Sequence, residues 1–214
     1  MWRYLLSIRY GIALIPEPAF TARAYRARQL ICGQYATWAA EMHMLHLTVA
    51  DFFECPEENV SELQKQLASI SKQTRDIVPK FEITNSGVGT FPGISGNIFL
   101  NFATGDKSRS LYKLHNDVIN GLKTISDITC DARFSGNAYW PHITLMQRGD
   151  LPAPVFEAAV HFSGVVVNDL QIPAVTTAWQ LTLARFESDM AGTDWDDGGW
   201  AADLRWTVLN SYPL

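Results

Sequence analysis

Leu45-His46-Leu47-Thr48-Val49 and Pro141-His142-Ile143-Thr144-Leu145 repeat one pattern about a hundred residues apart. Each is a His-x-Thr set embedded in aliphatic residues. In a β-strand, residues two apart point to the same face. His46 and Thr48 therefore share one face and Leu47 and Val49 the other. His142 and Thr144 likewise share a face opposite Ile143 and Leu145. Each strand presents an imidazole and a hydroxyl side by side, anchored behind by apolar side chains. One His-x-Thr arises by chance roughly once in several hundred residues at ordinary composition. Two copies, both in predicted strands and both preceded by a predicted helix, carry more weight.

Outward from these motifs the chain alternates strand and helix. Ile8 to Ile15 is an apolar run ended by Pro16 and Pro18 and predicts a strand. Thr21 to Ile31 predicts a helix closed by Gly33. Met44 to Phe53 is the first motif strand. Ser61 and Gln64 match a capping box, and Val60, Leu63, Leu67 and Ile70 follow at helical spacing until Pro79. Phe81 to Thr90 and Asn97 to Ala103 predict a strand pair with Gly93 and Gly96 in the loop between them. Leu111, Leu114, Val118, Leu122 and Ile125 mark another amphipathic helix. Tyr139 to Gln147 is the second motif strand. Further strands are expected at Ala159 to Val167, Trp179 to Phe186 and Leu204 to Leu209. The whole is an α+β chain in which a helix precedes a motif strand twice, a sign of internal duplication.

Composition narrows the function classes. Hydrophobic residues make up 47% of the 214, enough for a sizeable core in one domain or two lobes sharing a core. The formal net charge of −5 argues against broad coating of long nucleic acid, which is driven by counterion release at basic surfaces. It leaves room for a small anion in a local pocket. Cys32, Cys55 and Cys130 are far apart and odd in number, so free thiols are expected rather than a disulfide framework or a zinc site. Met1 to Pro16 is apolar but broken by Arg3 and Arg9, and no apolar run is long enough to span a bilayer. A cytoplasmic protein without a membrane partner is the expectation, with a monomer as its state.

The motif chemistry suits phosphodiesters. Cleavage needs a base for the nucleophile and an acid for the leaving oxygen. Histidine titrates near pH 6.5, so a neutral and a protonated ring can coexist near neutrality. Threonine hydroxyls can hydrogen-bond non-bridging phosphate oxygens and steady their charge. Nothing in the scheme needs a metal or another cofactor. Two histidines could begin a metal site, but no third ligand stands out beside them.

At this point the chain resembles the 2H phosphoesterase superfamily, which includes 2′–5′ RNA ligases and cyclic nucleotide phosphodiesterases. The likeness extends to Arg9-Tyr10-Gly11-Ile12-Ala13-Leu14 as the opening strand, to Ala50-Asp51-Phe52-Phe53 after the first motif, and to Gly89-Thr90-Phe91-Pro92 after the middle strand. It covers roughly the first two thirds of the chain. Glu54-Cys55 stand where members often carry a glycine, and Arg148 lies one position later than the arginine of ligase-like members. The resemblance implies two pseudo-symmetric lobes, each an antiparallel sheet flanked by helices, in a single domain of residues 1–214. It implies a central cleft lined by His46, Thr48, His142 and Thr144.

Around that quartet, Arg148 is a candidate for a phosphate oxygen, a task guanidinium groups suit, with a surface arginine as its ordinary alternative. Phe91, Tyr10 and Trp140 are candidates to stack on a base or ribose, against the commoner use of aromatics in cores. His43 reads as surface or structural, His115 as packing, and His161 as a strand residue without a role. Thr193-Asp194-Trp195-Asp196-Asp197-Gly198-Gly199-Trp200 reads as a solvated acidic loop. The expected function is a metal-independent phosphodiesterase for a nucleotide or short oligonucleotide carrying a 2′,3′-cyclic phosphate or a 2′–5′ linkage. The alternatives are a 2′–5′ RNA ligase acting on RNA ends and a silent nucleotide- or RNA-end-binding module. The acidic balance weighs against the ligase, and two intact motifs weigh against the silent module.

Overall fold

A computed structural model describes residues 7–103, 108–130, 136–189, 195 and 198–214. Among these residues the order is β1 (Ser7–Pro16), α1 (Pro18–Tyr35), β2 (Leu47–Phe53), α2 (Val60–Ile77), β3 (Glu82–Thr84), β4 (Val88–Gly89), β5 (Ile98–Asn101), α3 (Ser108–Leu122), β6 (His142–Met146), α4 (Ala153–Asp169), β7 (Val175–Ser188) and β8 (Arg205–Pro213). The architecture is α+β with an antiparallel sheet. No described helix is long and apolar enough to cross a membrane.

The sheet runs β3-β7-β1-β2-β6-β5-β4, and β8 pairs with β7 beside β3. Six strand spacings laid flat would separate β3 from β4 by about 29 Å. Only three residues, 85–87, join Thr84 to Val88, and they reach about 15 Å at most. The sheet must therefore curl so that its two ends approach. Hydrogen bonds hold that closure: Asn85 N–H donates to the Ala174 carbonyl, while Ser86 N–H donates to the Asn101 carbonyl.

The sheet has two halves. β1, β2, β3, β7 and β8 form one, and β4, β5 and β6 the other. They meet at β2 and β6, the two motif strands, through the single pair Leu47↔Ile143. The last third of the chain returns to the first half: β7 pairs with β1 from Ser7↔Ser188 to Pro16↔Ala178. Helices cross between halves, α1 packing behind β6 and α3 behind β2. One apolar core spans the seam, with Leu47, Leu100, Ile143 and Leu181 all fully buried.

Several elements differ from the sequence reading. Phe81 to Thr90 is not one strand: β3 pairs with β7 and β4 with β5, at opposite ends of the sheet. Ala159 to Val167 lies within α4, so His161 is helical. Its β-branched content suggests a strand, but Ala159, Ser163 and Val166 recur at helical spacing and are the buried positions. α1 continues past Gly33 to Tyr35, with Ala36 in the left-handed conformation as its cap. α2 starts after Asn59 without a side-chain cap, so the Ser61–Gln64 box does not form. Of the acidic stretch, Thr193, Asp194, Asp196 and Asp197 lie outside the described residues, as do residues 1–6. Trp195 and Trp200 are not solvated: both are buried in a second apolar cluster with Phe186 and Leu204.

Candidate active site

The single pair Leu47↔Ile143 sets the geometry of both motifs. Extending its register by one residue each way places His46 beside Thr144 and Thr48 beside His142. Cβ atoms of such neighbours lie about 5 Å apart. Leu47, Val49, Ile143 and Leu145 are buried, while the four motif side chains on the other face are half-exposed. The alternation that the sequence predicts is the one observed, although His46 precedes the first residue of β2.

Both imidazoles are held the same way. His46 Nδ1 lies 2.7 Å from the Met44 carbonyl, and His142 Nδ1 lies 2.6 Å from the Trp140 carbonyl. A carbonyl only accepts, so each ring carries its proton on Nδ1 and donates it two residues back. Nε2 is left with a free lone pair in each ring. His46 Nε2 lies 3.2 Å from Thr48 Oγ1, whose hydroxyl can donate to it. Burial pulls His46 down to about 3, with His43 adding to the effect and the Met44 hydrogen bond opposing it. Burial also lowers His142, against the hydrogen bond to Trp140. Both shifts favour the neutral ring near pH 7, and an anion bound between the two favours protonation of either.

Beyond the one shared pair, buried side chains serve the motif carbonyls, position for position. Tyr139 donates its hydroxyl to the Thr48 carbonyl at 2.9 Å, and His115 Nδ1 donates to the Val49 carbonyl at 2.7 Å. In the other half Arg28 Nε donates to the Thr144 carbonyl at 3.0 Å, and the Cys32 thiol points at the Leu145 carbonyl at 3.3 Å. The His115 ring stacks on Tyr139 with centroids 3.8 Å apart. His115 is therefore packing, as the sequence suggests, and also a donor to the first motif strand. Cys32, Cys55 and Cys130 are free thiols.

Phe91 stands edge-on to the His142 ring at 5.2 Å, and Phe99 lies at 4.9 Å. Trp140 is exposed beside them and donates its indole N–H to Asn101 Oδ1 at 3.2 Å. Arg148 lies just past β6, its guanidinium carbon 5.8 Å from the Trp200 ring. Trp200 in turn lies 6.0 Å from His43. Tyr10 is not brought to this group. It is 2% exposed, its hydroxyl donates to Glu57 at 3.3 Å, and burial pushes it up to about 12. The opening strand sends this ring into the core against Phe53.

Sequence reasoning misses Arg28, Gln147 and the place of His43. His43 is 8% exposed and its ring stands edge-on to His46 at 5.3 Å. Its Nε2 lies 3.1 Å from Gln147 Oε1. A signal for Arg28 exists: it sits among Ala24, Ala27, Ile31 and Cys32, all buried positions of α1. A charge within an apolar helical stripe asks what it serves. Among the described residues, no group of three His, Cys, Asp or Glu side chains converges to hold a metal ion.

The profile of the 2′-5′ RNA ligase superfamily matches residues 16–189. The chain belongs to this superfamily, whose members are 2H phosphoesterases. A protein of Oceanobacillus iheyensis named as a phosphoesterase is 26% identical over 141 residues, 65% of this chain and 71% of its own length. Crystallised Escherichia coli LigT, in complex with 3′-AMP, is 20% identical, with a TM-score of 0.58 over 96% of this chain and 97% of LigT. A Thermus thermophilus protein is 18% identical, with a TM-score of 0.60 over 96% and 97% of the two chains. At these identities the solved structures establish the fold. As a superfamily member, the chain has a fold whose likeness to LigT includes the last third, which the motifs alone leave unaligned.

Proposed function

We infer that this chain is a metal-independent phosphodiesterase acting on a nucleotide or short oligonucleotide with a 2′,3′-cyclic phosphate or a 2′–5′ linkage. The observation that carries this reading is the matched pair of histidines. Each is pinned through Nδ1 to the carbonyl two residues upstream, and each leaves Nε2 for proton transfer, that of His46 lying 3.2 Å from the Thr48 hydroxyl. In hydrolysis of a cyclic phosphate, one neutral Nε2 takes a proton from water as its oxygen attacks phosphorus. The other ring, protonated once the phosphate anion is bound, gives its proton to the departing ribose oxygen. Thr48 and Thr144 hold non-bridging oxygens. Phe91 and Trp140 flank the base or ribose on the His142 side, and Arg148 is the candidate for a further phosphate contact. That LigT has been crystallised with 3′-AMP supports a nucleotide as the occupant.

The two rings take different roles. Burial holds His46 neutral, with the neighbouring His43 and, more weakly, the charge of Arg28 adding to the effect, so it acts as the base. His142 acts as the acid. A 2′,3′-cyclic nucleotide panel and 2′–5′ oligonucleotides, assayed in excess EDTA with wild type and His142→Ala, test the activity. Turnover in EDTA that drops by roughly 10²–10⁴-fold in the variant supports it. Turnover restored only by added metal, or unchanged in the variant, refutes it. A substrate with a nitrophenol leaving group tests the roles. It needs no acid, so it rescues His142→Ala and leaves His46→Ala inactive.

A further inference from the structure

The two motif strands share one ladder pair, yet chemistry by a pair of rings needs their separation held to a fraction of an ångström. Something other than the sheet must set that separation. Arg28 projects from α1 beneath the seam and is fully buried. Its Nε donates to the Thr144 carbonyl at 3.0 Å, inside the second motif. Its Nη1 donates to the His43 carbonyl at 2.9 Å, three residues before His46. One planar guanidinium thus holds backbone from both sides of the seam, a task its fixed fork of donors suits and an ammonium does not. A second tie lies beside it. His43 Nε2 meets Gln147 Oε1 at 3.1 Å, and Gln147 follows directly after β6. The His43 ring edge then abuts His46.

A fully buried charge is a costly way to fill space under a sheet. Arg28 Nη2 has no hydrogen-bond partner, nor has the buried Glu41 Oε1, whose charge favours the guanidinium. An aliphatic side chain would pack α1 at lower cost. The two carbonyls that Arg28 joins supply a reason for a guanidinium at this position.

We propose that Arg28, through the Thr144 and His43 carbonyls and the His43–Gln147 tie, is the positioning residue that fixes His46 relative to His142. It touches no reacting atom. The proposal rests on the two-histidine reading above and adds what holds the two histidines in register. Arg28→Lys keeps the charge but replaces the two separate donors, Nε and Nη1, by one nitrogen without the planar fork. Gln147→Leu removes the second tie at a half-buried position and leaves α1 intact.

The test measures kcat and KM on the preferred cyclic nucleotide, together with ring ¹⁵N spectra of His46 and His142 during titration with inorganic phosphate. In the wild type, phosphate should shift both rings with one binding curve. Arg28→Lys should lower kcat on the order of 100-fold with KM within about 3-fold, and the two rings should then respond with separate curves. Gln147→Leu should move the same quantities less. A folded Arg28→Lys protein with unchanged kcat, or a loss carried by KM alone, overturns the proposal. If Arg28→Lys does not fold, Gln147→Leu decides: an unchanged kcat and a single shared curve sink the idea. Wild type without turnover, but with two rings sharing one phosphate curve, refutes the phosphodiesterase reading; the separation of the curves in the variant then judges the positioning alone. A wild type in which the rings respond separately overturns the positioning as well.

Discussion

His43 has a neutral ring by virtue of its surroundings, and that has a consequence for acid stability. Burial and the charge of Arg28 pull it from 6.5 to about 4. Below pH 6.5 the unfolded chain takes up a proton that the native ring refuses until about pH 4. The contribution is thus fully present above pH 6.5 and declines as pH falls toward 4, by about 3 kcal/mol at most. Urea midpoints at pH 7, 5.5 and 4.5 should fall less steeply for His43→Asn than for wild type. Parallel slopes would mean that the wild-type ring titrates freely. At Gly198 the backbone has φ 76°, and a Cβ there would collide with the Arg148 guanidinium. Gly198→Ala should cost at least the roughly 1–2 kcal/mol of a left-handed non-glycine residue, plus displacement of the guanidinium. The Gly198→Ala/Arg148→Ala pair should be less destabilised than the sum of its singles, because the second change removes the clash. Additive losses would mean the two residues do not meet.

At the scale of elements, the motif strands show what a sequence reveals and what it hides. The period-two alternation around His46 and His142 is local, so it is legible and the structure keeps it. α3 is legible for the same reason, since Leu111, Leu114, Val118 and Leu122 form one buried stripe. The split of Phe81 to Thr90 between β3 and β4 is not local. It follows from the closure of the curled sheet, which brings both edges to residues 85–87. Ala159 to Val167 misleads because β-branched residues favour strands only weakly, and the face it buries is helical. Arg28 and Tyr139 gain meaning only once α1 lies under β6 and the Tyr139 hydroxyl reaches β2. Tyr139→Phe tests that last support. It keeps the ring stacked on His115 but leaves the Thr48 carbonyl without its side-chain donor. The expected cost is about 1–3 kcal/mol in chemical denaturation, with a fall in kcat as Thr48 loses its fixed backbone. A cost near zero would mean that water replaces the hydroxyl.

At the scale of the molecule, the single ladder pair at the seam and the continuous core above it make opposite demands. A sheet joined by Leu47↔Ile143 alone invites the halves to come apart independently. The apolar cluster opposes this, because Leu14, Leu47, Leu100, Ile143 and Leu181 from both halves pack as one buried group. The chain's last third also returns to the first half, so that half is not a contiguous stretch, and each half takes a helix from the other: α1 packs behind β6 and α3 behind β2. We therefore take residues 1–214 to be one cooperative domain of two lobes, and unfolding supplies the test. Helices lie behind both halves, so far-ultraviolet circular dichroism reports on the whole. Trp195 and Trp200 are buried beside β7 in the smaller cluster, and their fluorescence reports on the first half. In one unit the two signals should trace a single transition with the same midpoint and the same slope in urea. A fluorescence midpoint well below that of the dichroism would mean that the cluster beside β7 melts by itself. A biphasic dichroism curve would mean that the seam is a domain boundary, and that ligand binding between His46 and His142 is what joins the halves. Saturating inorganic phosphate distinguishes these cases: it should merge the two dichroism phases if the seam is the weak point, and leave a separate fluorescence midpoint where it was if the Trp cluster is.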